Sequence, residues 1–173
     1  LEITCGEAPY MCTRYDATTG EPINITDRVG FIDRKLQRIS KEIDDHEQWT
    51  QYVYKAYKSS YGYEFQGDSL LIARENLVYT FVDYYLDKFE QMPNIELILS
   101  IAKIVSYNVF QMDGLKYIIP YSEETIVKPK DTQLSLFDEM DDEVDEIEVI
   151  KEGTKVKIKD WSITFDYDGQ QYL

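Results

Sequence analysis

The sequence contains few of the residues on which several common kinds of site depend. It has one histidine and two cysteines among 173 residues, too few for a histidine-rich metal site or a disulfide framework. The one histidine, His46, follows two aspartates just ahead of a helical pattern, so we expect a solvated residue at a helix start and no Ser-His-Asp triad. No apolar run approaches the ~18 residues that a membrane-spanning helix needs. The start of the sequence also lacks the basic leader and long apolar stretch of a signal peptide. We therefore expect a cytoplasmic protein with no membrane contact, in which Cys5 and Cys12 are free thiols.

Basic residues are also scarce. The 33 acidic residues outnumber the 18 basic ones, for a formal charge of −15, and residues 138–148 hold eight acids and no base. Such a chain does not wrap phosphates unaided, so any work on DNA would need basic contacts from another segment or subunit. An acidic surface can alternatively mimic DNA and occupy a DNA-binding protein. Because the strand-like start begins at Leu1 rather than Met, we also expect this chain to be a piece of a longer one.

The first 115 residues alternate between strand and helix patterns. Apolar residues recur at helical spacing in four segments, and shorter apolar runs between them are typical of buried strands. The pattern predicts strands at 1–5, 61–65 and 107–112, and helices at 31–41, 46–59, 69–89 (with Asp68 as N-cap) and 95–104. This order is typical of an α/β fold with a mostly parallel sheet and crossover helices.

The composition changes after this region. We expect residues 1–119 to form an α/β core, and residues 120–152, with two prolines and the acid tract, to be a mostly flexible linker. Residues 154–167 alternate apolar and polar side chains, and we expect residues 153–173 to form a strand or hairpin that joins the core sheet.

The ends of the three predicted strands carry the candidate site. Cys5, Gly6 and Glu7 follow the first strand at a point where the chain must turn sharply, Glu64 ends the second, and Asp113 follows the third. In an open α/β sheet, ligands bind at the carboxyl ends of the strands. A glycine turn allows a ligand close to the backbone, an acid can bind both ribose hydroxyls, and a polar residue can bind an adenine edge. The alternative is that Glu64 is a surface acid and Asp113 belongs to an ordinary turn.

These three motifs, in this order, resemble those of DNA adenine-N6 methyltransferases. Leu1–Glu7 is similar to their Leu-Glu-Pro-x-Cys-Gly-x-Gly motif, Tyr61–Glu64 with Ala73–Leu77 to their second motif, and Asn108–Leu115 to their third. The chain also resembles bacterial restriction-modification "subunit M" proteins in the stretches LEITCGEAPY, YGYEFQGD and NVFQMDGL. The resemblance implies a Rossmann-like methyltransferase fold, which this piece need not contain in full. It further implies S-adenosylmethionine as the cofactor, held by Cys5, Gly6, Glu7, Glu64 and Asp113, and methyl transfer to the exocyclic amine of adenine in DNA.

The sequence departs from the family in two places. Ala8-Pro9 replaces the second glycine of the first motif, and the catalytic [Asn/Asp/Ser]-Pro-Pro-[Tyr/Phe/Trp] motif does not occur. In that motif the aromatic ring stacks on the flipped base. Asp160-Trp161 keeps the polar and aromatic members, and is our candidate for a catalytic pair; the alternative is a turn aspartate beside a core tryptophan. This piece alone is expected to be inactive.

A separate linear motif lies in the predicted linker. Gln133-Leu134-Ser135-Leu136-Phe137 resembles the bacterial sliding-clamp binding peptide. In that interpretation Leu136 and Phe137 insert into an apolar pocket while Gln133 forms hydrogen bonds, and Leu134 is a further partner contact; the alternative is an apolar patch that folds back on its own domain. The motif supports a second function, that of a non-catalytic methyltransferase-like protein that binds a sliding clamp or the target of a DNA mimic.

Overall fold

The computed structural model describes residues 1–129, 146–162, 164–165 and 171–172. Within these residues the chain is mixed α/β, with four α-helices, a short 3-10 helix at Ile25–Asp27, and six strands. The helices are α1 (Phe31–Glu42), α2 (His46–Lys58), α3 (Gly67–Phe89) and α4 (Ile95–Asn108). The strands are β1 (Gly62–Glu64), β2 (Val109–Gln111), β3 (Glu124–Pro129), β4 (Glu146–Lys151), β5 (Thr164–Phe165) and β6 (Gln171–Tyr172). No helix in these ranges is both long enough and apolar enough to cross a membrane.

A small parallel sheet packs beside α3 and α4. β1 pairs with β2 in parallel, from Gly62 opposite Val109 to Glu64 opposite Gln111. On the other side of β1, Glu2 forms an isolated parallel bridge with Gly62, and the Cys5 N–H donates to the Tyr63 carbonyl over 2.8 Å. The N-terminal segment, β1 and β2 are therefore neighbours that run in the same direction, and their carboxyl ends meet at one edge.

The helix predictions are confirmed in number and order, and two boundaries differ by two residues or more. α4 continues to Asn108, so β2 begins only at Val109, two residues after the predicted start of that strand. The extension follows the helical period, since Ile101, Ile104, Val105 and Asn108 are all buried. The prediction that Asp68 caps α3 is wrong, because the helix begins at Gly67 with Gln66 as its N-cap. Asp68 instead places a negative charge in the first helical turn, where the helix dipole favours it.

The core is built around α3, the longest helix. Its buried face packs against α1, α2 and α4 and carries several aromatic rings in edge and tilted contacts. The fully buried members of this core include Trp49, Val53, Ala73, Leu77, Phe81 and Ile101. Two polar residues of α3, Arg74 and Asn76, lie at the end of the helix that is nearest the parallel strands.

The later part of the chain differs from its predicted organisation. β3 and β4 pair antiparallel within the range predicted as a mostly flexible linker. The paired residues include Ile126 opposite Val149 and Thr125 opposite Ile150, β-branched residues that favour strands. The clamp-like peptide 133–137 and most of the acid tract lie outside the described residues. β5 and β6 form an antiparallel pair that is separate from the sheet of β1 and β2, and Lys155 bridges to Ile118.

Candidate functional site

The turn after the first predicted strand has an unusual backbone. Thr4, Gly6 and Ala8 all have positive φ, at 49°, 52° and 63°, the left-handed region that glycine adopts without steric cost. The predicted sharp turn at Gly6 is thus confirmed. Ala8 occupies the position where the resembled motif has its second glycine, and it keeps a glycine-like conformation. For a residue with a Cβ this conformation costs about 1–2 kcal/mol.

Glu64 ties this turn to the end of β1. Its Oε2 accepts a hydrogen bond from the Gly6 N–H at 2.7 Å. Its Oε1 accepts from the N–H groups of Phe65 and Gln66, at 2.9 and 3.1 Å. The carboxylate is buried, and three of its roughly four acceptor positions are used in this way. The sequence predicted that Glu64 and the glycine turn would meet, and the structure brings them into direct contact.

α3 holds the turn from the other side. Asn76 donates through Nδ2 to the Glu7 carbonyl at 3.0 Å and to the Tyr15 hydroxyl at 3.3 Å. The Tyr15 hydroxyl in turn donates to Oε2 of Glu7. Arg74, two residues earlier, donates to the Val109 carbonyl at 2.8 Å and so fixes the start of β2. The helix that carries the second motif is therefore bonded to both the first and the third motif.

A cavity of about 230 Å³ lies beside the turn. Its wall includes Cys5, Gly6 and Glu7 of the predicted cofactor residues, together with Glu2 and Tyr15, but Glu64 and Asp113 do not line it. Ligand pockets commonly enclose ~300–1,000 Å³. A cavity of this size can enclose one end of a nucleoside-sized cofactor, and the rest would have to lie along the open edge of the strands.

Glu2 is a candidate residue that the sequence analysis did not single out. It is 8% exposed and lines the cavity, and burial raises the pKa of its carboxyl to about 7 although hydrogen bonds from the Tyr10 and Met11 backbone oppose this shift. Its Oε2 has no hydrogen-bond partner among the described residues. This oxygen can therefore accept a hydrogen bond from an N–H or O–H donor in the cavity. The sequence signal that could have identified Glu2 is a glutamate within the short strand predicted at residues 1–5.

The two cysteines are free and buried, as predicted. Burial raises the pKa of the Cys5 thiol to about 12, and that of the Cys12 thiol to about 12 as well. Both side chains therefore remain protonated at neutral pH, and a thiol is a poor nucleophile in that state. Cys5 is part of the cavity wall.

Asp113 lies near the same edge but its side chain is engaged locally. Its Oδ1 accepts from the N–H groups of Leu115 and Lys116, at 2.9 and 3.2 Å, the pattern of an aspartate that stabilises its own turn. The preceding residue, Met112, donates its N–H to the Glu64 carbonyl at 3.0 Å. The residue is thus close to Glu64 along the sheet edge, while its carboxylate serves the turn that follows β2.

Asp160 and Trp161 lie at the opposite edge, and this placement corrects the idea that they complete the candidate site. Trp161 donates through Nε1 to Oδ1 of Asn108 at 2.7 Å, and the Tyr61 hydroxyl donates to the Lys159 carbonyl at 3.0 Å. Asn108 and Tyr61 directly precede β2 and β1, so this segment lies at the amino ends of the strands. The Asp160 carboxylate accepts from its neighbour Ser162. A strand of three residues advances about 10 Å, which separates the pair from the turn at Gly6.

Asn108 belongs to the third motif, yet its role is structural. Its Nδ2 donates to the carbonyls of Tyr57, Lys58 and Ser60, at 2.9, 3.1 and 3.0 Å. These carbonyls lie at and just beyond the end of α2, where helix carbonyls lack partners within the helix. Asn108 therefore joins the end of α2 to the beginning of β2.

No group of three or more histidine, cysteine, aspartate or glutamate side chains is arranged to hold a metal ion in the part of the chain that the structure describes. Comparisons of the chain with protein-family models, with curated proteins and with solved structures found no match.

Proposed function

We propose that this chain is the cofactor-binding part of a DNA methyltransferase-like protein of a restriction-modification system, and that it binds S-adenosylmethionine in a Rossmann-like core. The observation that carries the proposal is the contact between the Gly6 turn and the Glu64 carboxylate. It lies where the ends of neighbouring parallel segments meet. This is the edge at which open α/β sheets bind their ligands.

The residues at this edge suit different parts of the cofactor. Nothing lies within 4 Å of the position that a Cβ would occupy on Gly6, so the backbone is open to close approach. The cavity beside Cys5–Glu7 would take the methionine end, with the unpaired Glu2 oxygen available to its amino group. Glu64 would bind the ribose through its remaining acceptor position, and Asp113 would approach the adenine edge.

When bound, S-adenosylmethionine would supply the methyl group for the exocyclic amine of adenine in DNA. The chain's own residues would bind and orient the cofactor. Asp160 and Trp161 are given no part in the transfer, because they lie at the other edge of the strands. Catalytic groups and most DNA contacts would then come from the complete protein or from another subunit.

Calorimetric titration with S-adenosylmethionine and S-adenosylhomocysteine tests this proposal, and two glycines provide a matched pair of variants. Gly6 and Gly20 both have positive φ, and a Cβ would meet nothing within 4 Å at either position. Gly6→Ala and Gly20→Ala thus impose similar strain, but only Gly6 lines the cavity. We expect saturable binding that Gly6→Ala weakens and Gly20→Ala does not. Absence of saturable binding at millimolar cofactor would refute the proposal.

A second function is favoured by the same geometry. Three of the Glu64 acceptor positions are already used by the backbone, and Asp160 and Trp161 are remote from the cavity, as expected of a methyltransferase-like protein that no longer catalyses. Such a protein would bind a protein partner, and Gln133, Leu134, Leu136 and Phe137 are the predicted contacts with a bacterial sliding clamp. Titration of the chain against the clamp, beside a Leu136→Ala, Phe137→Ala variant, tests this function without any cofactor.

A further inference from the structure

A band of basic side chains crosses one surface of this acidic protein. We call it the basic stripe and define it as Lys35 and Arg38 on α1, Lys55 and Lys58 on α2, and Lys159. Lys35, Arg38 and Lys55 line a groove of about 550 Å³ between α1 and α2, together with the apolar side chains of Ile39, Ile43 and Ala56. A second depression of about 330 Å³ shares Lys55 with this groove and continues to Lys58 and Trp161. The two form one continuous surface.

The charge of this surface is opposite to that of the whole chain. Among the described residues, only two acids, Glu42 and Asp160, line the two depressions, whereas the chain as a whole carries −15. Arg38 pairs with Glu42 across one helical turn. No described carboxylate lies within ion-pair distance of the four lysines. Their positive charges are therefore not neutralised by the described part of the protein.

Aromatic rings alternate with the lysines. The Lys55 ammonium lies 4.8 Å from the centre of the Tyr52 ring. The Lys159 ammonium lies 4.7 Å from the centres of both the Tyr107 and the Trp161 ring, and that of Lys58 lies 5.3 Å from the Trp161 ring. Cation–π contacts of this kind restrict the ammonium groups without removing their charge. Basic side chains combined with accessible aromatic rings are typical of surfaces that bind single-stranded nucleic acid, whose bases stack on the rings.

We propose that the basic stripe binds single-stranded nucleic acid, with the phosphates at the basic side chains and the bases against the rings. The residues from Tyr52 to Lys58 advance about 9 Å along α2, and stacked nucleotides place a phosphate every ~3.4 Å along one strand. The stripe is therefore long enough to contact several phosphates. An acidic protein segment would also be attracted by the charge, but it would make no use of the alternating rings.

The inference goes beyond the proposed function because it needs no cofactor. The stripe lies at the amino ends of β1 and β2, where Trp161 contacts Asn108, and the cofactor cavity lies at the carboxyl ends. Nucleic acid bound here would not cover the cavity. The stripe would supply part of the basic contact with nucleic acid. Most of that contact would still come from another segment or subunit, because the chain as a whole is acidic.

Fluorescence anisotropy with a short labelled single-stranded DNA at low salt tests the proposal. We expect salt-dependent binding, which a Lys55→Glu, Lys58→Glu variant weakens by at least ~10-fold, with the slope against log salt reduced by about 0.7 for each lysine. The control is Lys116→Glu, Lys151→Glu, which makes the same change in net charge at two exposed ion pairs outside the stripe. The control should retain affinity within ~3-fold, since only long-range attraction changes.

Any of three results would overturn the proposal. The first is that the unmodified chain fails to bind DNA at low salt, and the second is that both charge-reversed variants lose affinity for DNA equally. The third is that polyglutamate binds at the same lysines with the same affinity as DNA. Thermal melts establish that each variant is folded, and Lys55→Gln, Lys58→Gln replaces the reversed pair if that pair does not fold. The same variants should bind S-adenosylmethionine as the unmodified chain does. If the unmodified chain binds DNA but does not bind S-adenosylmethionine, the proposed function is refuted and the basic stripe remains supported.

Discussion

Replacement of Glu64 by alanine is the most informative single perturbation of the candidate site. The change removes both oxygens that accept hydrogen bonds from Gly6, Phe65 and Gln66. It would also remove the proposed ribose ligand. One substitution thus affects the shape of the turn and the chemistry of cofactor binding together, and the two effects must be separated.

The stability loss follows from the kinds of bond that are removed. A hydrogen bond to a charged group contributes about 1.5–3 kcal/mol, and we assign this value to the tertiary bond from Gly6. The other two bonds are local and their donors are partly exposed, so water replaces them at a cost of at most about 1 kcal/mol in total. Glu64→Ala should therefore lower the free energy of unfolding by about 2–4 kcal/mol, a fall in Tm of roughly 5–15 °C for a chain of this size. Glu64→Gln keeps one acceptor oxygen and should lose about half as much.

Calorimetric titration with S-adenosylmethionine, adenosine and methionine separates the two effects. A ribose ligand contributes to the binding of adenosine, whereas the turn contributes mainly to the methionine end. The control is Asn76→Ala, which removes the bond from α3 to the Glu7 carbonyl and so loosens the turn without touching Glu64. We expect Glu64→Ala to abolish adenosine binding and Asn76→Ala to preserve it while S-adenosylmethionine binds more weakly.

Two results would refute this reasoning. If Glu64→Ala melts within about 1 °C of the unmodified protein, the carboxylate does not hold the turn. If Asn76→Ala and Glu64→Ala reduce adenosine binding equally, the effect of Glu64 passes through the turn, and the ribose assignment is wrong.

Two further predictions concern buried polar groups. Because the folded-state pKa of Glu2 is raised from 4.5 to about 7, its contribution to stability is fully present below about pH 4.5 and is lost as the pH rises to 7. Glu2→Gln should remove this pH dependence of the stability and raise the Tm at pH 8 relative to the unmodified chain. Parallel profiles of Tm against pH for the two proteins between pH 4.5 and 8 would contradict the prediction. Asn108→Ala leaves three carbonyls and the Trp161 indole N–H without their partner, and should cost about 3–5 kcal/mol in urea unfolding. Trp161→Phe removes only one of these bonds, so equal losses in the two variants would contradict the role assigned to Asn108.

Much of the local structure was determined by the sequence alone. The spacing of Leu70, Ala73, Leu77 and Phe81 gives α3 its buried face, and Asn94 caps α4 through a bond to the Leu97 N–H. The turn at Gly6 was also predictable, because a glycine after a short strand is a local signal for a left-handed backbone. Helical period, capping and turns depend on residues within about four positions of each other, and a single sequence displays them directly.

The tertiary structure decided which of the candidate residues share a site. It joined Gly6 to Glu64, separated by 58 positions, and it placed Trp161 against Asn108, separated by 53. It also buried Glu2 beside the cavity and left the carboxylate of Asp113 in its own turn. Such relations depend on how strands and helices pack across the whole chain, and burial and hydrogen bonding between distant residues leave no periodic pattern in the sequence. The sequence therefore determined where the chain turns and which faces are apolar, while packing decided which polar groups meet and which edge of the sheet each one occupies.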